Sequence, residues 1–453
     1  MGSTATPSIP ARKTRMVNVV AGSLIGTTIE WYDFFLYGAA AALVFNKVFF
    51  PADDPLVGTM LAFLTYAVGF LARPLGAVIF GHFGDRLGRK ATLIVSLMLM
   101  GGSTFVIGLL PSYASIGILA PLALVALRLI QGFALGGEWG GAVLLVAEHG
   151  SAERRGFWAS WPNVGAPAGN LLSAGVLAIM AGVMPEEAFL DWGWRIPFLL
   201  SAVLLIVGLW LRLTVHESPL FAEAQARRAA AEAATGTRKL PFTEMMRAHK
   251  REVVIAMLSR FGENASYYLF TVFVLTYVTQ VGTLSASVAL QAVMIGCAIE
   301  CLLIPVVGAV SDRVGRRPVY YVSCVLLAVW AFVFFPLLDT GSPALVALAV
   351  TVGLLSHAGF SGVIGAFFSE LFGTNVRYSG VSVGYSFASV LAGSLSPLIA
   401  LALFREFDSS LPVSFYLAVM ALISFVAVLA ARETSGMRLE EVAEEEPVPV
   451  PVR

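Results

Sequence analysis

Apolar runs of about twenty residues or more alternate with short polar turns along almost the whole chain. A helix needs about 20 mostly apolar residues to cross the hydrocarbon core of a bilayer. Twelve such runs can be drawn, at 17–45, 57–81, 91–111, 117–147, 156–182, 194–214, 252–280, 286–310, 319–338, 343–369, 378–403 and 411–431. The pattern predicts an all-α membrane protein of twelve transmembrane helices. Arg12, Lys13 and Arg15 precede the first run as they would in a signal peptide. That run is too long, however, and carries Glu30 and Asp33, so it reads as a retained first helix. The longest break, 215–251, contains the helix-prone, charged stretch from Ala226 to Ala234. It predicts a cytoplasmic linker between a bundle of six helices at 17–214 and a second at 252–431, after a short segment at 1–16. The tail at 432–453 is acidic and interrupted by Pro, and is expected to be disordered.

One polar pattern occurs twice. Gly81-His-Phe-Gly-Asp85-Arg86-Leu-Gly88-Arg89-Lys90 returns as Gly308-Ala-Val-Ser-Asp312-Arg313-Val-Gly315-Arg316-Arg317. Each copy is a charged turn between two apolar runs, so the chain reads as two related six-helix halves, an architecture found in transporters. Composition agrees: 58% of residues are hydrophobic and 13% charged, against roughly 25% charged in soluble proteins. The net charge of zero offers no case for nucleic acid as a partner. Cys297, Cys301 and Cys324 lie in apolar runs without a CxxC pair, so they are expected to pack, with no metal site and no cofactor. The lipid bilayer is the expected surrounding, of a chain that works as a monomer.

Basic residues set the orientation. With the N-terminus inside, Lys47, Arg195 and Arg405 fall on the outer side and Arg73, Arg128 and Arg260 within spans, while the remaining Lys and Arg lie inside or at the inner rim. Both termini are therefore expected in the cytoplasm.

Over nearly its whole length the chain resembles the major facilitator superfamily. The doubled D-R-x-G-R-[KR] turn, between helices 2 and 3 and between helices 8 and 9, is the main marker. Within it, the chain resembles the metabolite:H⁺ symporter family, which includes permeases for shikimate, α-ketoglutarate, citrate and proline/betaine, and it is most similar to a shikimate-permease-like branch. That resemblance rests on Glu30-Trp-Tyr-Asp33-Phe-Phe-Leu-Tyr-Gly38, Arg73-Pro-Leu-Gly76, and the run from Arg128 through Gln131 and Glu138 to Gly141. Gly193-Trp-Arg195-Ile-Pro-Phe198, His216-Glu217-Ser-Pro219 and the run from Glu370 through Arg377 to Gly380 add to it. It implies multi-pass insertion in a bacterial inner membrane.

At the inner rim an Asp and several Arg can pair with carboxylates and helix ends of neighbouring helices, holding the halves together until the inner side opens. Asp85, Arg86 and Arg89 form the first such set, Asp312, Arg313 and Arg316 the second. The resemblance extends this gate to Glu148 with Arg154 and to Glu370 with Arg377. The plainer alternative is anchoring by positive charge alone, which needs neither the Asp nor the glycines.

A charge at a helix centre costs at least ~2.5 kcal/mol, so embedded charges mark candidate sites. Asp33 and Arg128 fall near mid-depth at 1.5 Å per residue. In similar sugar–proton symporters a helix-1 acid and a helix-4 Arg form a proton-sensitive pair, and the resemblance gives Asp33 and Arg128 that role; a static packing pair is the alternative. Glu30, one turn before Asp33, is either a second proton site or an acid that eases burial of Arg128. Arg73 and Glu138 are at similar depth, as an ion pair or as substrate contacts. On helix 7, Arg260, Glu263, Asn264, Tyr267 and Tyr268 form a polar and aromatic stripe suited to a small oxygenated substrate: Arg holds a carboxylate while Asn and Tyr bond hydroxyls. Glu300 and His357 are also near mid-depth, His357 as a proton carrier or a hydrogen-bonded core residue. Trp31, Tyr32 and Trp139 flank these charges as candidate cavity walls.

Together these features predict proton-coupled uptake of a small organic acid by alternating access. A proline or betaine carrier and a membrane sensor that binds without transporting are the competing readings. No P-loop, HExxH or GxSxG context marks an enzyme or an ATP-driven pump.

Overall fold

The computed structural model describes residues 16–77, 79–80, 89–136, 138–214, 249–282, 284–373 and 377–437, with backbone alone at 89–93, 138 and 211–214. Among them, twelve helical runs stand where the hydropathy places them. They are α1 (Met16–Ala40, continued by Ala41–Phe45 and Asn46–Val48), α2 (Pro55–Ala77), α3 (Arg89–Leu109), α4 (Leu119–His149), α5 (Ala152–Val183) and α6 (Arg195–Thr214). The second set is α7 (Lys250–Ser259, then Phe261–Tyr268 and on through Tyr277–Val281), α8 (Ala286–Val314), α9 (Arg316–Asp339), α10 (Pro343–Leu371), α11 (Arg377–Phe407) and α12 (Leu411–Ala430).

Eight of these are long and apolar enough to cross a membrane by themselves, or nine counting Glu186–Gly193 and Arg195–Trp210 as one span bent by 43°. The others fall short for visible reasons. Of α3, the part with described side chains is Ile94–Leu109, and α1 and α7 carry the embedded charges, Glu30 and Asp33 on one, Arg260 and Glu263 on the other.

Local chemistry sets the helix ends. The Asp54 carboxylate accepts a hydrogen bond from the Leu56 amide at 2.9 Å, with Pro55 at the first helical position, so α2 starts there. At the other end of the molecule Gly315 alone joins α8 to α9. Its φ of 99° is a conformation that favours glycine, which accounts for that position of the repeated motif.

The halves meet along α5 against α8 and α2 against α11, with α1 touching α7 and α4 touching α10 and α11. Relating α2 to α8 and α5 to α11 makes the α2–α11 contact the counterpart of the larger α5–α8 one, and α5 also packs along α10. At the α5–α8 crossing the backbones approach so closely that a Cβ on Gly308 would stand 2.6 Å from the Gly156 carbonyl oxygen. The first glycine of the second motif copy is therefore a contact point between halves.

Candidate functional site

Between the halves lies a narrow cavity of about 30 Å³, room for little more than water. Its C-half wall is the α7 stripe: Arg260, Glu263, Asn264, Tyr267 and Tyr268 all line it, as the sequence suggested. The helix is broken at the site. Arg260 separates two helical pieces, and the Asn264 side chain adds a hydrogen bond at 3.1 Å to the Arg260 carbonyl, which also accepts from the Asn264 amide at 2.9 Å. Ser424 of α12 repairs the rest, accepting from the Gly262 amide at 2.8 Å and donating to the Leu258 carbonyl at 3.1 Å. Such repair by side chains is how a membrane helix tolerates a break.

Arg260 is buried and donates to both oxygens of Glu263, through Nε at 3.0 Å and Nη2 at 3.2 Å. Its guanidinium lies 3.5 Å from the centre of the Tyr385 ring, and among the described residues Nη1 has no hydrogen-bond partner. His357 comes next: Nε2 is 3.5 Å from Glu263 Oε1, and Nδ1 contacts Glu300. His357 lines the cavity, whereas Glu300 stands behind it.

The other half contributes Trp31 to the wall, but Tyr32 turns away and donates to the Pro197 carbonyl of α6 at 2.8 Å. Trp139, expected there with Trp31, and residues not singled out from the sequence complete the wall. Trp139 stacks on Tyr385 at 3.9 Å and donates to Asn163 at 3.0 Å, and Asn163 donates to the Ser361 carbonyl at 2.7 Å. A signal for them existed: Trp139 and Ser361 are 222 positions apart, as are Asn163 and Tyr385.

Asp33 and Arg128 form a separate buried group outside the cavity wall. Among the described residues no ion pair joins them. Asp33 lies beside the Thr104 hydroxyl, with Oδ1 unpartnered. Gln131 bridges the gap, donating to Thr104 at 2.7 Å and accepting from Arg128 Nη1 at 2.9 Å. The remaining faces of Arg128 meet the rings of Tyr37 (4.1 Å), Phe34 (4.7 Å) and Tyr66 (4.7 Å), a cation–π cage. Arg73 is held similarly, 4.3 Å from Phe70 and 4.8 Å from Phe34. Glu30 is buried one turn from Asp33. The expected Arg73–Glu138 pair lies outside the described residues, because the Glu138 side chain is not among them.

At the motif-bearing end, Asp312 accepts from the backbone amides of Gly156 (2.7 Å) and Phe157 (2.9 Å), capping α5 of the opposite half. It also accepts from Arg316 at 2.8 Å. Glu370, fully buried, accepts from Arg316 (3.0 Å) and Arg155 (3.1 Å). The pairs differ from those expected within each half. Arg154 and Arg313 are exposed, Arg155 takes the place given to Arg154, and Arg377 pairs with Glu148 at 3.9 Å rather than with Glu370. Both carboxylates thus reach across the seam. The repeat again carried the signal, since Glu148 and Glu370, like Arg155 and Arg377, are 222 positions apart. Asp85, Arg86 and the Arg89 side chain lie outside the described residues. The tail prediction also changes at 432–437, where Thr434 donates to Glu370 at 2.7 Å and Arg155 donates to the Met437 carbonyl at 2.8 Å.

The opposite end is also linked across the halves, by Arg405 with Asp54 at 2.9 Å and by Gln280 donating to Thr59 at 2.9 Å. Both partners of that ion pair are partly exposed, so it is worth at most about 1 kcal/mol. Restraint there should therefore have to be imposed covalently. A short bifunctional thiol reagent bridging Asp54→Cys and Arg405→Cys is expected to stop transport, with either single variant staying active; continued transport by the bridged protein would show that this end need not separate.

The family profile described as "Sugar (and other) transporter" matches residues 18–445. The chain belongs to that family. This transporter is 40% identical over 427 residues to the inner membrane metabolite transport protein YhjE of Escherichia coli K12, covering 93% of this chain and 95% of the relative. It is 42% identical over 415 residues to the shikimate transporter of the same strain (91% and 94% covered), and 33% identical over 431 residues to its proline/betaine transporter (94% and 85%). A solved structure of the major facilitator proton:xylose symporter XylE, bound to 6-bromo-6-deoxy-D-glucose, superposes with a TM-score of 0.74 at 19% identity, covering 95% of this chain and 99% of that one. At that identity the likeness shows the fold alone, the major facilitator fold; the family match and the metabolite transporters among the relatives make this a multi-pass membrane transporter and not an enzyme.

Proposed function

We propose that this transporter takes up a small organic acid together with protons, by alternating access at the central cavity. The observation that carries the reading is Arg260: a buried guanidinium at a helix break, between the halves, with one donor facing no partner. A carboxylate supplies what that donor lacks, and Asn264, Tyr267 and Ser361 offer hydroxyl partners. The motif-bearing end is the cytoplasmic side, with both termini there, and the halves at 17–214 and 252–431 rock about the cavity in a monomer. Asp33, joined to Arg128 through Thr104 and Gln131, is the proton-responsive group of the first half, with Glu30 beside it, and His357 answers it in the second.

Purified protein in liposomes under an inward proton gradient tests this directly, with labelled shikimate, α-ketoglutarate, citrate and betaine as probes. One acid is expected to accumulate, and a protonophore to abolish it. Arg260→Lys keeps the charge but loses the planar fork, and should weaken binding of that acid about tenfold or more. Uptake of betaine or proline alone would favour the second reading. Arg260 beside Glu263, under the rings of Tyr385 and Trp139, also offers a zwitterion an anion site and an aromatic face.

A further inference from the structure

A line of four ionisable groups runs from the cavity wall into the C-half: Arg260, Glu263, His357 and Glu300. Glu300 closes it. Its side chain is fully buried, one oxygen contacts His357 Nδ1, and the other has no hydrogen-bond partner. With an imidazolium at His357 the line is neutral, two cations against two carboxylates. A substrate carboxylate arriving at Arg260 would leave one negative charge uncompensated in a buried site, which is costly unless something neutralises it.

One proton does so, and few groups can accept it. Tyr267 and Tyr385 face the line from α7 and α11, Tyr320 from α9, and Cys297 and Cys301 from α8 itself. Tyrosines and thiols already carry their protons at neutral pH. Glu263 is held by two hydrogen bonds from Arg260. That leaves Glu300 with His357. We infer that the Glu300–His357 pair holds the proton that enters with each substrate carboxylate bound at Arg260, a station distinct from Asp33. The inference rests on the organic-acid reading above. The step forms one O–H or N–H bond with a proton from water on the side of substrate entry, and breaks it when that proton leaves to water on the other side.

Because a proton is taken up on binding, affinity falls as pH rises, about tenfold per pH unit for one linked proton. Binding of labelled shikimate to purified protein, measured across pH, should show that slope in the wild type and a flat profile in Glu300→Gln, which mimics the protonated acid. Proton uptake on adding shikimate in weakly buffered solution gives a reading that needs no Glu300 variant: about one proton per shikimate, preserved in Asp33→Asn. An unchanged slope in Glu300→Gln, or loss of the uptake in Asp33→Asn, overturns the inference. Wild-type protein that binds none of shikimate, α-ketoglutarate or citrate at any pH would instead sink the organic-acid reading itself.

Discussion

Asp33→Asn is expected to reduce gradient-driven accumulation sharply, to what the Glu300–His357 proton alone can drive, while leaving exchange of labelled for unlabelled substrate close to wild type. The carboxyl is buried with one oxygen unpartnered, and it reaches Arg128 only through Thr104 and Gln131. A protonated acid and a carboxylate present different hydrogen-bonding atoms to Thr104, so gain or loss of the proton can be passed along that chain to the guanidinium in its aromatic cage. Asn fills the same space and cannot titrate. Accumulation and counterflow measured on the same proteoliposomes separate coupling from movement. An Asp33→Asn protein that concentrates substrate as the wild type does would remove Asp33 from the coupling.

Glu370→Gln should have the second large effect. One buried carboxylate there neutralises both Arg155 and Arg316, from opposite halves. Removing one partner of such a network costs about 3–5 kcal/mol, which at 1.4 kcal/mol per tenfold shifts the closed–open balance of that end by two to three orders of magnitude. Ser160, buried beside the α5–α8 crossing, reports it. In inside-out vesicles of a protein lacking the native cysteines, Ser160→Cys should react with an impermeant maleimide far faster when Glu370→Gln is present. Equal rates would mean that the network does not hold this end shut.

The twelve spans and the α7 stripe were legible because lipid forces a long apolar run wherever the chain crosses and makes each embedded charge conspicuous. Partners were not legible. Hydropathy puts Glu148 and Arg377 near a rim, but nothing local says that each reaches across the seam. The resemblance suggested Glu148 with Arg154, while geometry pairs Glu148 with Arg377 and Glu370 with Arg155. Tyr32 turns out of the wall because its hydroxyl is taken by the Pro197 carbonyl of α6. Asn163, Ser361 and Tyr385 have no charge to betray them. Only their common spacing between the halves does, and it becomes meaningful once the seam is known.

The crossed pairs at the motif-bearing end also bear on how such a chain could have arisen. Each half carries a carboxylate at the end of one helix and an arginine at the start of the next, and these pair across the seam rather than with each other. Two copies of a single half, related by a two-fold axis along the membrane normal, would make the same contact twice, as an isologous dimer does. Fusing those copies into one chain keeps both contacts and frees each to diverge. In this protein they have done so: one is a fully buried carboxylate shared by two arginines, the other a half-exposed pair at 3.9 Å.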